Sequence, residues 1–369
     1  MMRPETEAEL AEMIVGAEGP LAIRGGGTRG LAAAGDILRT DGLSGVSLYE
    51  PGALTLVAQA GTALRDIEAM LDAEGQRLAF EPMDAHGLLG TGGESTIGGV
   101  VATNSSGPRR IQSGACRDFL LGVRFVDGFG QVVKNGGRVM KNVTGYDLVK
   151  LMAGSYGILG VLTEVSLKVL PKPEAVATVS VAGLSEEVAV LAMSAALTSP
   201  YDVTGAARLP EGETLIRIEG FEKSVAYRAS QLQAILGRFG AVSVENDPAA
   251  VDVTWRSVRD VAAFHRASGD VWRISCKPSD GPELAAKLGA EAVQLDWGGG
   301  LVWALVPDGT DVRSKLGVFS GHATIVKASN ETIERLGRFQ PESTGVAALA
   351  KAIRQKYDPR GILNVGLMG

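Results

Sequence analysis

Cysteine is scarce in this chain. Only Cys116 and Cys276 occur in 369 residues, far apart and in no Cys-x-x-Cys pair. That excludes a disulfide framework, and two thiols are too few to hold an iron–sulfur cluster. Two reduced, buried thiols in a cytosolic protein are the expectation. Histidine is scarcer per site than it looks. His86, His265 and His322 have no ligand-like spacing, so no metal site is expected. Basic residues are outnumbered, 36 against 42 acidic ones, for a net charge of −6, and no basic stripe is evident. A nucleic-acid partner is therefore not expected. Long apolar runs are absent too. Val188–Leu197 covers about half of the ~20 residues a membrane span needs. The acidic start, Met-Met-Arg-Pro-Glu-Thr-Glu, does not read as a signal peptide.

What the chain has in excess is glycine, 49 residues, roughly twice the usual ~7%. No collagen-like period accompanies it, so the glycines point to turns and close ligand approach. Hydrophobic residues at 45% and charged ones at 21% supply a large core, and the length suggests two domains.

Thr6 and Glu9 form a capping-box pattern ahead of Leu10, Met13 and Ile14, which predicts an opening helix. Strands are predicted at Leu21–Arg24, Ile37–Thr40, Gly45–Tyr49 and Leu54–Ala58, then a helix over Gly61–Leu71 capped by Thr62. Residues 87–114, small and glycine-rich, read as a surface loop. Leu121–Val126 and Gln131–Val133 read as a hairpin turning on Asp127-Gly-Phe-Gly130, followed by a short helix at Asp147–Met152 and a strand at Val161–Leu170. Pro171-Lys-Pro173 marks a boundary. Beyond it, strands (Val176–Val181, Thr214–Ile218, Val271–Cys276, Leu301–Leu305, Ala323–Val326) alternate with helices (Glu186–Leu197, Ala226–Phe239, Pro282–Leu288). A last helix lies near Val346–Tyr357.

One loop carries the most information. Leu21–Arg24 runs into Gly25, Gly26, Gly27, Thr28, Arg29 and Gly30. Glycines let successive amides turn toward one anion, and Arg24 and Arg29 beside them suit a pyrophosphate. Gly25-x-Gly27-x-x-Gly30 also satisfies the nicotinamide-dinucleotide fingerprint, but that motif must open a helix, and Leu31–Gly35 is too short for one. A plain glycine turn would not need two flanking arginines.

Two further segments decide between these readings. Residues 95–107 run Ser-Thr-Ile-Gly-Gly-Val-Val-Ala-Thr-Asn-Ser-Ser-Gly, and 141–164 contain Gly-Tyr-Asp-Leu and Gly-Ser-Tyr-Gly-Ile-Leu-Gly-Val-Leu-Thr-Glu. With the glycine loop, in this order, they resemble the FAD-binding domain of the vanillyl-alcohol oxidase/PCMH flavoprotein superfamily. Within it, nearly the whole chain is similar to the FAD-binding E subunits of bacterial glycolate oxidases. The segments that carry this are Phe80-Glu-Pro82, Gly136–Asp147, Lys168–Pro173, Trp272-Arg273, Asp296-Trp-Gly-Gly299, Gly321-His-Ala-Thr324 and Asp358-Pro.

The resemblance implies an α+β fold: a PCMH-type FAD-binding domain of two small α/β subdomains (1–172), an antiparallel-sheet α+β cap (173–330), and a segment (331–369) returning to the first domain. It implies that the Arg24–Gly30 loop holds the pyrophosphate. Ser95, Thr96, Gly98 and Gly99 would form a second phosphate-side loop. Thr103, Asn104, Gly107 and Gly114 would approach the flavin or its ribityl chain, with Glu81 and Pro82 on the same side, and Val161 would face the adenine. Covalent members commonly place a histidine at the glycine loop. Thr28 and Arg29 stand there instead, so non-covalent FAD is expected, and His86 reads as a hydrogen-bonded loop residue. The family's closing Phe-Asn-Pro-Gly is Leu363-Asn364-Val365-Gly366 here, leaving Asn364 as a candidate contact.

The implied chemistry is oxidation of a small 2-hydroxy acid such as glycolate or D-lactate, which needs a hydride acceptor, a base and a carboxylate-binding cation. The His-x-Phe-Gly-Asp-Gly-Asn-x-His metal motif of related D-2-hydroxy-acid dehydrogenases is absent. The resemblance implies a longer FAD-binding sister subunit and a cysteine-rich iron–sulfur subunit that takes the electrons. It also implies a cytoplasmic complex, peripheral on the inner face of the membrane. Candidate catalytic residues are Arg273, Arg217 and His322. Either arginine could instead be a solvent-facing strand residue, and His322 a strand-start histidine bonded to backbone. Trp297 and Trp303 read as core or flavin-face aromatics. A free-standing dehydrogenase and a largely non-catalytic FAD relay subunit remain alternatives.

Overall fold

The computed structural model describes residues 1–138 and 145–368. Residues 139–144, inside the Gly136–Asp147 stretch singled out above, lie outside the described residues. The opening helix spans Glu7–Val15, with the Thr6 hydroxyl accepting the Glu9 amide. The Glu9 carboxylate reaches one residue beyond the expected box, to the Glu5 amide. Leu10 and Ile14 are fully buried on its inner face.

Among the described residues the first domain contains nine strands: β1 (Leu21–Arg24), β2 (Asp36–Arg39), β3 (Val46–Glu50), β4 (Thr55–Gln59), β5 (Gln76–Arg77), β6 (Leu120–Val126), β7 (Val132–Gly136), β8 (Val161–Lys168) and β9 (Leu170–Pro171). Two units result. In one, β1 and β2 pair in parallel over the opening helix, and the chain's tail joins them through a Leu21–Leu363 bridge. In the other, an antiparallel sheet of order β3-β4-β8-β6-β7 packs on the helices Leu64–Ala73 and Ile97–Ala102. The predicted hairpin joins β6 to β7, and Asp127 Oδ1 accepts the Phe129 and Gln131 amides inside it. β5 and β9 form a short ribbon at the exit to the second domain.

The cap is one eight-stranded antiparallel sheet. Its strands are β10 (Ala175–Val181), β11 (Val203–Arg208), β12 (Thr214–Gly220), β13 (Val242–Glu245), β14 (Asp270–Ser275), β15 (Ala292–Asp296), β16 (Leu301–Val306) and β17 (His322–Lys327). They are ordered β13-β10-β12-β11-β15-β16-β14-β17. Side chains alternate across a strand, so each strand divides its residues between two faces. Ile216, Ile218, Trp272, Ile274, Leu295 and Val302 enter a core with the helices Glu186–Leu197, Glu222–Leu236 and Gly281–Leu288. Their sequence neighbours, Arg217, Arg273, Asp296, Leu301 and Trp303, face the first domain. Burial of this apolar face, at roughly 25 cal/mol per Å², is the main force holding the sheet to its helices.

Several local expectations need correction. Helix Leu64–Ala73 starts later than predicted because Thr62 does not cap it; the Thr62 hydroxyl is engaged with Gln59 and Gly45 instead. Residues 87–114 are not a surface loop. They form turns between the helices His86–Leu89, Ile97–Ala102 and Arg110–Ser113, and Ile97, Val100 and Val101 are fully buried. Small residues there let the backbone pass between other segments. Helix Pro248–Asp260 and strands β11, β13 and β15 went unread, because mixed Ala, Ser and charged residues blur their periods. Helix Asn330–Leu336 packs on the cap core through Ile333 and Leu336, so the chain leaves the cap after it rather than at 331.

Candidate functional site

A slot runs along the C-terminal end of β1. Its floor is the Gly25–Thr28 backbone, which approaches the 94–99 segment too closely for side chains. A Cβ on Gly26 would stand 1.6 Å from the Glu94 carbonyl oxygen, and one on Gly25 would stand 2.4 Å from Thr96 Oγ1. On the opposing segment, a Cβ on Gly98 would meet the Ala60 oxygen at 2.7 Å. Gly27 has φ +74°, which glycine adopts at no steric cost. Among the described residues, the amides of Gly25, Gly26, Gly27 and Thr28 donate to no protein acceptor. Arg24 Nε is buried there without a partner. Unpaired donors this concentrated call for an anion.

Ser95, Thr96, Gly98, Gly99 and Thr103 line one wall of the slot, and Val161 and Asn364 line the other. Asn364, at φ +44°, accepts the Ile23 amide at 2.7 Å and donates to the Tyr156 oxygen at 2.7 Å. Its side chain therefore ties β1 to the 156–157 turn, and what it offers the slot is its position.

The slot opens into a larger chamber between the two domains. Arg29, Leu31, Thr103 and Tyr156 line both spaces. The chamber floor carries Asn104 and Gly107 from the first domain. Its roof is the inward face of the cap sheet, with Arg273, Asp296, Trp303 and His322. The Trp297 ring lies beside it, its Nε1–H donating to the Gly107 oxygen at 3.1 Å. The guanidinium carbons of Arg110 and Arg273 stand 4.6 and 5.1 Å from that ring.

Positive charge dominates the chamber. Arg110 and Arg273 have no carboxylate partner among the described residues, and Arg29 makes only a 3.4 Å bond to the Met83 oxygen. Burial pulls Arg273 down to about 10, and the nearby Arg110 charge acts the same way. It remains a cation at neutral pH. His322 sits at the rim with much of its surface exposed, and its ring is held below its ordinary value by the partial desolvation of the side turned to the chamber and then by Arg273 and Arg110. Asp296 is buried, and its carboxyl is pushed up to about 7.

Several candidate residues lie elsewhere. Arg217 is 2% exposed and far from available: it donates to both Glu81 oxygens at 2.8 and 2.9 Å and stacks on Trp255. Neither a catalytic role nor a solvent-facing one fits it. Glu81 is consumed by the same pair and by Arg109, and Pro82 stands with it in a separate charged cleft. Gly114 packs on Asp118 at the end of a short helix, away from both slot and chamber. Gly30 turns the loop at φ +58° and lines neither space. His86 is a hydrogen-bonded loop residue, with one ring nitrogen on Asp84 and the other on the Gly93 oxygen. Trp303 is a buried chamber wall, and so both core and site. Sequence reasoning missed Arg110, Tyr156 and Asp296. Tyr156 and Asp296 lay inside quoted motifs, and Arg110 lay three residues past Gly107.

Comparison with known proteins adds the following. Residues 1–136 match the family model of an FAD binding domain. Over 356 residues the chain is 35% identical to glycolate oxidase subunit GlcE of Escherichia coli (strain K12), covering 95% of this chain and 92% of that protein. It is 37% identical over 121 residues to glycolate oxidase subunit GlcD of Bacillus subtilis (strain 168), covering 33% of this chain and 24% of that one. Among solved structures, an alkyldihydroxyacetonephosphate synthase superposes with TM-score 0.70 over 98% of this chain and 76% of its own, at 17% identity. A 4-ethylphenol oxidase from Gulosibacter chungangensis does so with TM-score 0.70 over 99% and 88%, at 12% identity. At such identities these two speak for the fold alone.

Proposed function

Because the chain belongs to the family of glycolate oxidase subunit GlcE, an FAD-binding oxidoreductase with the α+β PCMH-type fold, we propose that it dehydrogenates a small 2-hydroxy acid, such as glycolate or D-lactate, within a multi-subunit complex. The observation that carries this reading is Arg273. It is a half-buried guanidinium facing the chamber, without a carboxylate partner among the described residues, and Arg110, also half-buried, stacks on the same Trp297 ring. A carboxylate accepts both prongs of such a fork.

FAD fits the residues present. The Gly25–Thr28 amides and Arg24 hold the pyrophosphate, with Thr96 and Gly99 opposite. Thr103, Asn104 and Tyr156 flank the passage to the chamber. Bound there, FAD supplies the two-electron acceptor for the hydride. Thr28 and Arg29 stand where covalent members place a histidine, which supports a non-covalently held cofactor. Arg273 and Arg110 fix the substrate's carboxylate, and the Trp297 and Trp303 rings exclude water from its apolar side. With two cysteines the chain holds no cluster of its own. Electrons then leave to another protein or a soluble acceptor, and the resemblance points to a cysteine-rich iron–sulfur subunit beside a longer FAD-binding sister. No helix among the described residues is long and apolar enough to cross a membrane.

A second reading, a relay subunit that does not touch substrate, draws on the missing His-rich motif. Anaerobic addition of glycolate or D-lactate to the purified FAD-loaded chain separates the two. Bleaching of the visible flavin band that Arg273→Met abolishes supports turnover by this chain. Bleaching only after the partner subunits are added supports the relay.

A further inference from the structure

Anchoring the substrate through Arg273 leaves one chamber carboxyl without a role. Asp296 closes β15, where alternation sends Val293 and Leu295 into the cap core and turns Asp296 toward the chamber. It is 3% exposed. Its Oδ1 accepts the Trp297 amide at 2.7 Å. Its Oδ2 has no hydrogen-bond partner among the described residues and is not sealed from the chamber. An acid this deep is ordinarily paired. Here no cation pairs with it: Arg217 is spent on Glu81, and Arg273 lies against the Trp297 and Trp303 rings. The Asp-Trp turn is also held in place. Trp297 has φ +52°, and its indole N–H is fixed to the Gly107 oxygen of the first domain.

We propose that Asp296, rather than His322, takes the hydroxyl proton of the 2-hydroxy acid. This rests on the function proposed above. The substrate O–H bond breaks and its proton goes to Asp296 Oδ2. The C–H hydrogen leaves with its electron pair as hydride to the bound FAD, and the C–O bond becomes the carbonyl of a 2-oxo acid. The alcohol loses two electrons and FAD gains them. His322 stands exposed at the rim, beyond the Arg273 and Trp303 row, where water competes for its ring.

The surrounding charges suit this role. Burial pushes Asp296 up to about 7; Arg217 on β12 and Arg273 on β14 favour its anion, while Glu81 opposes it. A base balanced near neutral pH both accepts and releases a proton readily.

The test uses oxalate, an unreactive carboxylate, as the probe on the FAD-loaded chain. Calorimetry at pH 7.5 in two buffers of different ionisation enthalpy counts protons. An anion set beside Asp296 raises its affinity for a proton, so wild type takes up a proton with oxalate, and His322→Gln does too. Asp296→Asn, which keeps an acceptor for the Trp297 amide, takes up none. Its flavin reduction by glycolate falls by about 10²–10⁴ and loses the rise through pH 7. Proton uptake that survives in Asp296→Asn, or vanishes in His322→Gln, overturns the proposal. Should Asp296→Asn fail to fold, the His322→Gln arm still decides. Failure of wild type to bind oxalate, or of any 2-hydroxy acid to reduce its flavin, refutes the proposed function separately. Oxalate binding without proton uptake refutes the role of Asp296 alone.

Discussion

Glu81 of the first domain and Arg217 of the cap are joined across the domain boundary by two hydrogen bonds of 2.8 and 2.9 Å. Arg109 extends the pair, reaching Glu219 at 2.8 and 2.9 Å, and Arg77 reaches Glu219 at 2.7 Å. This network ties the 77–109 segment to strand β12 beside the chamber.

Removing one member should be costly. Arg217→Met leaves Glu81 buried opposite fewer cations, and breaking a buried pair this way costs about 3–5 kcal/mol. Denaturant unfolding measures it. The double change Glu81→Gln with Arg217→Met should recover part of the loss, since Glu81 is then no longer a charge that has lost its bidentate partner, while Arg109 and Arg77 keep Glu219.

The same network sets an acid limit. Burial alone would raise Glu81 and Glu219, but the Arg217 and Arg109 charges outweigh it and hold both below the ordinary 4.5. Depressed carboxylates contribute stability above their unfolded value and lose it as pH falls through the folded one. Thermal midpoints of wild type should therefore drop below about pH 4.5, and Arg217→Met should show a shallower drop.

Asp296 behaves oppositely. Its folded value, about 7, lies above the ordinary 3.8, so ionisation opposes folding. Asp296→Asn should gain stability relative to wild type progressively between these two values and hold the gain at higher pH. Melting curves from pH 4 to pH 8 (about one unit beyond the folded value) test the sign.

At the slot, Gly26→Val must displace the Glu94 backbone. Overpacking typically costs about 1–3 kcal/mol, or roughly a 5- to 150-fold loss of FAD affinity if it falls on the loop. The ratio of visible flavin absorbance to protein absorbance reports it. Retention of FAD at wild-type affinity would remove the loop from the pyrophosphate site.

Arg273→Met should weaken oxalate binding by roughly 30- to 5,000-fold, the loss of one charge pair at about 2–5 kcal/mol. Arg273→Lys should fall between, since an ammonium lacks the planar fork. Calorimetric titration measures both.

Much of the slot was legible in sequence because its requirements are local. Gly27 must be glycine because its own φ is positive, whereas the need for glycine at Gly26 comes from the distant Glu94 backbone and only the fold shows it. Thr96 caps the helix Ile97–Ala102, its hydroxyl accepting the Gly99 amide three residues on, another local rule. The 87–114 stretch misled for the same reason. Its small residues describe only themselves, whereas their burial comes from β4, β8 and the cap packing around them. Asp296 was visible as a letter in a motif, but nothing local says that its carboxyl lacks a partner.

Arg217 and Arg273 show where the division falls. Both are arginines on alternating cap strands, and both stand on the same face of one sheet, turned toward the first domain. Sequence determined only that each lies on an alternating strand between apolar neighbours, together with the glycine-rich loop, because alternation and φ are properties of a few adjacent residues; the strand order put both arginines on one face. Only the docking of the two domains decided the rest. It set Glu81 against Arg217 and left an open chamber against Arg273, making one guanidinium a buried clamp and the other a site for an anion. The partner that each charge meets is fixed by residues more than a hundred positions away, and no local pattern carries that distance.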